Sequence, residues 1–229
     1  MYRYRINYTK EGPARYISHL DLVRTMERSL RRCGLPVAFS GGFNPHPRFS
    51  FALPLPVGVA GLNEYMDLDL ITEVDPAEVG RLLGGALPRG IEVRGVRQAP
   101  EDSRPLMAMV KRASYQVTGR LRESLSGADL SRMIKEFLDR ESIIIERQGK
   151  KGTGPRPVDI RPGILRLSGD LREHGELVLE MELQAGSVGN VRPEEALRAL
   201  VGLTGLPAPA YGFDICRTSL DGFNLTNLA

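Results

Sequence analysis

Hydrophobic and polar residues alternate along MYRYRINYTK, which puts Tyr2, Tyr4, Ile6 and Tyr8 on one face and predicts a strand. The period then changes. Ser18-His19-Leu20-Asp21 has the form of a capping box, a serine followed three residues later by an acid. Behind it Leu22, Val23, Met26, Leu30 and Cys33 recur at near-helical spacing and predict a helix through LVRTMERSLRRC. Gly34 suits the residue that ends a helix, and Pro36 blocks its continuation. Leu35–Phe39 begins a second strand, GGFNPHPR (41–48) interrupts it, and FSFALPL resumes extended chain. EYMDLDLIT alternates strictly, with Tyr65, Asp67 and Asp69 on one side and Met66, Leu68 and Leu70 on the other, which predicts a half-buried strand. Asp75-Pro76 supplies an N-cap and first-turn proline for a helix in DPAEVGRLLGGALP, and GIEVRGVRQA reads as a closing strand.

This order, β-α-β-β-α-β, is the ferredoxin-like pattern. The second half repeats it without repeating its letters: strand SYQVTGRL, helix GADLSRMIKEFLDR, strands in SIIIERQ, RPGILRLSG and ELVLEMELQ, helix RPEEALRALVGL and strand YGFDICRTSL. The predicted fold class is therefore α+β, two tandem ferredoxin-like domains, at 1–99 and 111–229. The stretch APEDSRPLMAMV, with two prolines and a charge cluster, places a linker at 100–110. Residues 148–163, QGKKGTGPRPVDIRPG, carry too much Gly, Pro and charge for a regular strand and predict a long, mobile hairpin tip.

Composition narrows the function classes. With 229 residues and 41% hydrophobic content, the chain can build one large core or two small ones. It has no apolar run near the ~20 residues of a membrane-spanning helix, and its start lacks the apolar core of a secretory signal. A cytoplasmic protein with no membrane contact is the expectation. Two distant cysteines, Cys33 and Cys216, suit reduced thiols and cannot by themselves hold an iron–sulfur cluster. Three histidines and two cysteines give no spacing that demands a metal site, and none is expected. There is no P-loop, GxGxxG, nucleophile elbow or HExxH.

The net charge of +3 is modest, but it is unevenly spread. Between Arg24 and Arg48 five arginines face one acid, Glu27; between Arg147 and Arg166 six basic residues face one acid, Asp159. Arg24, Arg28 and Arg31 share a helix face that is not the apolar one, so they could lie along a phosphate backbone or form a solvated face with a Glu27–Arg31 pair. The helix runs directly into the loop Ser40, Gly41, Gly42, Phe43, Asn44, Pro45, His46 and Arg48. Its glycines allow close approach to a ligand and its prolines stiffen it; it is equally readable as a bulge whose Phe packs inward. A second basic candidate is Lys150, Lys151, Arg156 and Arg161 in the 148–163 hairpin, which could grip RNA or simply be solvated. His19 and Asp21 lie too close in sequence to face each other on a helix.

The strings YISHLDLVRTMERSLRRCGLPVAFSGGFNPHPRFSFALPLPVG and VDIRPGI resemble the radical-SAM-linked (radical SAM-associated) protein family of bacteria, a domain of unknown function. The resemblance covers essentially the whole chain and is strongest over residues 1–75. Members of that family stand beside a radical SAM enzyme or form its C-terminal portion, near genes for an E/G-type ribonuclease and ribosomal proteins. The resemblance implies work on RNA or the ribosome. It marks Ser18, His19, Asp21, Ser40, Gly42, Phe43, Asn44, Pro45, His46 and Pro47, with Asp159, Ile160, Arg161 and Pro162 in the second half, as positions to watch. The cluster motif CxxxCxxC is absent, so the resemblance implies a companion, with the iron–sulfur cluster and S-adenosylmethionine carried by the partner enzyme. The leading expectation is an accessory binding module, ribosome-associated, that presents RNA or a ribosomal protein to that enzyme. A rival is a metal-independent endoribonuclease similar at fold level to the CRISPR repeat-processing enzymes, with His19 or His46 as general base; their glycine-rich loop lies near the C-terminus, whereas this one lies in the first half. A scaffold that touches only its partner protein is a third possibility.

Overall fold

The computed structural model describes residues 1–100, 103–149, 154–186, 189–209 and 212–221. They form a mixed α+β structure divided into two compact units, Met1–Lys111 joined by the chain from Arg217, and Arg112–Cys216.

In the first unit β1 (Tyr2–Lys10) lies antiparallel between β3 (Ala60–Leu70) and β4 (Ile91–Ala99), with Ile6 opposite both Met66 and Val96. The short β2 (Phe49–Phe51) pairs with β3, Ser50 opposite Asp67. Two helices cover one sheet face. Ser18 caps α1 (His19–Arg32) by accepting from the Asp21 amide at 3.1 Å, and Asp75 caps α2 (Pro76–Ala86) by accepting from the Ala77 amide at 2.7 Å. Leu22, Met26 and Leu30 of α1 and Val79 and Leu83 of α2 close over Tyr4, Ile6, Met66, Leu68 and Leu70 in one core. Gly34, at φ 76°, turns the chain off α1.

The opposite sheet face is buried too. Arg3, Arg5, Asp67 and Asp69 stand directly across from each other on β1 and β3. The Arg5 fork meets Asp67 at 2.9 and 3.1 Å with both side chains almost fully buried, and Arg3 Nε meets Asp69 at 2.9 Å. The segment read as a linker helps cover them. Its one-turn α3 (Leu106–Met109) buries Leu106, and Met109 Sδ lies 3.9 Å from Arg5. A second fully buried pair joins Glu64 of β3 to Arg217, where the guanidinium also donates to the Leu53 carbonyl at 3.0 Å. This pairing gives the physical reason why the chain re-enters the first unit at Arg217. Gly61 makes room for it, because a Cβ there would sit 2.6 Å from Glu64 Oε1.

In the second unit β5 (Arg112–Arg120), β9 (Glu176–Gln184) and β8 (Ile164–Leu171) lie side by side and antiparallel, with Val117 opposite Leu179 and Leu167 opposite Met181. α4 (Gly127–Leu138) starts at Ser126, and α5 (Pro193–Thr204) ends at Gly205 in the left-handed conformation. Gly169 lets α4 approach β8, since a Cβ there would meet Ile134 at 2.9 Å and Leu179 at 2.8 Å. The last strand, β10 (Asp214–Asp221), contributes residues to both units. Part of the 148–163 stretch is more regular than its composition predicts. β7 (Arg156–Asp159) pairs with β6 (Ile144–Arg147), because Asp159 Oδ1 accepts from the Ile143 and Arg161 amides at 2.9 and 3.0 Å and pins the return limb.

Removing one partner of a buried ion pair strands the other. Asp67→Ala should therefore lower stability by about 3–5 kcal/mol, and the joint replacement Arg5→Met with Asp67→Leu should recover most of that loss. Urea unfolding of the three variants checks this; an Asp67→Ala loss below about 1 kcal/mol would show that the pair is solvated.

Candidate nucleic-acid interface

Loop 40–48 is closed at its neck by main-chain and hydroxyl hydrogen bonds. The Ser40 amide donates to the His46 carbonyl at 2.8 Å, the His46 amide to Ser40 Oγ at 3.0 Å, and the Arg48 amide to the Ala38 carbonyl at 2.8 Å. The neck sits on β3, where the Asp69 amide donates to the Arg48 carbonyl at 3.0 Å. Five residues, Gly41 to Pro45, remain as an exposed tip. Gly42 has φ 107°, a conformation that a side chain resists. Phe43 does not pack inward: its relative exposure is 111%, so its whole ring stands in solvent.

The tip is tied to α1. His46 Nδ1 lies 3.0 Å from Glu27 Oε1, and Arg31 donates to the Pro45 carbonyl at 3.4 Å while its guanidinium sits 5.6 Å from the centre of the Phe39 ring. Glu27 thus serves His46, not Arg31 as the helix spacing allowed. The arginines of α1 all face outward. Arg24 pairs with Asp21 at 3.3 Å and Arg32 donates to the Ala86 carbonyl at 2.8 Å, but Arg28 has no partner among the described residues. Arg48, beside the tip, shares Asp69 at 3.5 Å. The result is an exposed aromatic flanked by exposed guanidiniums.

His19 occupies the first turn of α1, beneath this rim. With Val23 and Glu27 it lines a cavity of about 310 Å³ whose other walls include Phe49, Ser50 and Phe51. Its ring meets Phe51 edge-on at 5.5 Å, and its buried Nδ1 has no hydrogen-bond partner. Burial, helped by the positive charge of Lys10, holds the imidazole below the usual histidine range. Asp21 is not its partner: the Ser18 hydroxyl donates to Asp21 at 2.7 Å, and with Arg24 it keeps that carboxyl below the usual range. His19 and Glu27 line the same cavity from positions about two helical turns apart, and Glu27 also holds the His46 imidazole. Glu27 is the residue that sequence reasoning missed; its signal was to be the lone acid in a run of arginines.

The second-half candidates belong to the other unit. Arg156 is exposed on β7. Arg161 donates to the Leu138 carbonyl at 2.9 and 2.7 Å and to the Ile164 carbonyl at 3.2 Å, so it ties the end of α4 to β8, while Asp159 holds the backbone turn described above. Lys150 and Lys151 lie outside the described residues. Among the described residues no group of three or more His, Cys, Asp or Glu is placed to hold a metal ion, and no helix is long and apolar enough to cross a membrane.

The lowered proton affinity of His19 has a pH consequence. The unfolded chain binds that proton more tightly, so the stability this site contributes is present above the ordinary histidine value of about 6.5 and is lost as pH falls below it through the lower value of the folded imidazole. His19→Gln should lose less Tm than the wild type between pH 7.5 and pH 5 in thermal melts; equal losses would show that the imidazole is not desolvated.

The family described as an uncharacterized protein conserved in bacteria (DUF2344) matches residues 3–193. No curated protein matches the chain in sequence. Among solved structures, a chain of the crystal structure of a Cbf5-Nop10-Gar1 complex is similar at TM-score 0.53 and 11% identity, over 95% of this chain and 48% of that one. A chain of an H/ACA RNP bound to a substrate RNA containing 2'-deoxyuridine gives TM-score 0.49 and 12% identity, over 95% and 47%. The chain spans about half the length of these solved chains, and at such identity the first likeness is one of fold alone. The family match extends from β1 to the start of α5, and the chain belongs to this uncharacterized bacterial family.

Proposed function

We propose that this chain is a cytoplasmic accessory module that binds RNA, or an RNA-bearing ribosomal component, and presents it to a partner radical SAM enzyme. The partner would carry the iron–sulfur cluster and S-adenosylmethionine; the resemblance of SHLD and GGFNPHP to the radical-SAM-linked family supports that part. Each unit would be a ferredoxin-like βαββαβ element, a reading supported by the strand neighbours β4-β1-β3-β2 in the first and β10-β5-β9-β8 in the second. RNA binding rests on one observation. A fully solvated Phe43 stands on a stiff loop beside the outward arginines of α1 and Arg48. Every base has a face that can stack on an aromatic ring, and guanidiniums match phosphate oxygens while releasing condensed counterions.

Single-stranded RNA should therefore bind with an affinity that falls linearly in log–log terms with salt. Arg28→Ala should reduce that slope by about 1, and Phe43→Ala should cost about 1–3 kcal/mol at unchanged slope. Fluorescence anisotropy across a salt series reads both. Binding that ignores salt, or survives Arg28→Glu with Arg48→Glu, would refute the reading and leave a protein-only scaffold.

A second reading has its own support. Glu27 orients His46 as a carboxylate orients a general base, which supports a metal-independent endoribonuclease using His46, with the desolvated His19 as the alternative base. Incubation of RNA with the chain in EDTA discriminates. The accessory reading expects no product that disappears in His46→Ala or His19→Ala; a histidine-dependent cleavage product would replace it.

A further inference from the structure

The cavity beneath the loop has a chemistry distinct from the rim above it. Its volume of about 310 Å³ lies at the low end of small-molecule sites. Its walls are largely flat and apolar: Phe49 meets Phe51 edge-on at 5.6 Å, and Phe51 meets the His19 ring edge-on at 5.5 Å. A few polar side chains, His19, Glu27 and Ser50, complete the lining. Neither ring nitrogen of His19 has a hydrogen-bond partner among the described residues, and burial favours the uncharged imidazole, which carries one N–H donor and one acceptor. Glu27 gives Oε1 to His46 and keeps acceptor capacity on Oε2, and Ser50 presents an exposed hydroxyl.

This set discriminates among ligands. The Glu27 carboxylate opposes an anion, so a phosphate belongs outside with the arginines. A cation would face an uncharged imidazole and, close by, Lys10. What fits is a neutral, planar ring with a hydrogen-bonding edge. Every nucleobase has such an edge, and proteins that read single-stranded RNA splay bases out onto aromatic side chains. We propose that the cavity receives one unstacked nucleobase of the bound RNA, with its hydrogen-bonding edge met by His19 or by Glu27 about two helical turns away, and Phe49 and Phe51 forming its apolar wall. The inference rests on the RNA-binding reading but assigns a different part of the molecule. The rim supplies affinity from phosphates and one stacked base, while the cavity supplies a pocket for a second base.

The test uses the full chain and two probes. In the first, AMP, CMP, GMP and UMP are titrated while the His19 ring nitrogens and the Ser50 amide are followed by NMR, with ribose 5-phosphate as the base-free control. Saturable shifts at both residues with the nucleotides and none with ribose 5-phosphate are expected; no shift, or equal shifts with the control, overturns the proposal. In the second, Ser50→Trp fills the cavity from an exposed strand position. An eight-nucleotide RNA should bind this variant about tenfold more weakly with an unchanged salt slope, whereas Arg28→Ala changes the slope. Unaltered affinity in Ser50→Trp would remove the pocket and leave the rim standing. Nucleotide shifts at His19 with no salt-dependent RNA binding would leave a nucleotide pocket and remove the RNA reading. The first titration needs only the wild-type chain, so it decides the matter even where a substitution disturbs folding.

Discussion

Interior guanidinium–carboxylate pairs on β3 constrain the first unit, and the candidate interface is built on the same strand. Asp67 and Asp69 engage Arg5 and Arg3 across the strand pair, and Glu64 engages Arg217. Charges placed this deep are costly to desolvate, so they persist only where each finds a bidentate partner. The same strand carries the neck of the 40–48 loop through the backbone of Asp69, whose carboxylate also receives Arg48. The loop that projects the Phe43 ring into water is thereby anchored on the interior strand.

The loop is held from two sides that differ in kind. At its neck the bonds are between main-chain groups and the Ser40 hydroxyl, and none involves a charged side chain. On α1 it is held by Glu27 and Arg31, side chains on the helix whose apolar stripe forms the core. A helix buried on one side and charged on the other thus positions ligand-facing groups on a fixed platform. The cavity lined by His19 and Glu27 sits where that helix meets β2, with polar groups left to find partners outside the protein.

Much of this was legible in the sequence because the signals were local. The capping residues Ser18 and Asp75, the left-handed Gly34 and the period-two strands each act over a few residues and appear where expected. What could not be read depended on distant partners. Asp67 and Asp69 alternate with Met66 and Leu68 just as a half-solvated strand would, and it takes their arginines, more than 60 residues away, and the cover of α3 to make that face interior. Composition marked 148–163 as irregular, yet one carboxylate, Asp159, organises a strand within it. The α1 arginine face was visible as spacing, but the docking of His46 on Glu27 follows from the path of the loop, which no periodicity encodes.

The Glu64–Arg217 contact also orders events in time. Its partners are separated by 153 positions, and a ribosome adding roughly 5–20 residues per second needs on the order of ten to thirty seconds to travel between them. During that interval the nascent first unit holds a carboxylate destined for its interior with no guanidinium to meet it. Completion of the N-terminal half therefore waits on β10, and until then the buried Lys10 of β1 is the cation acting on Glu64.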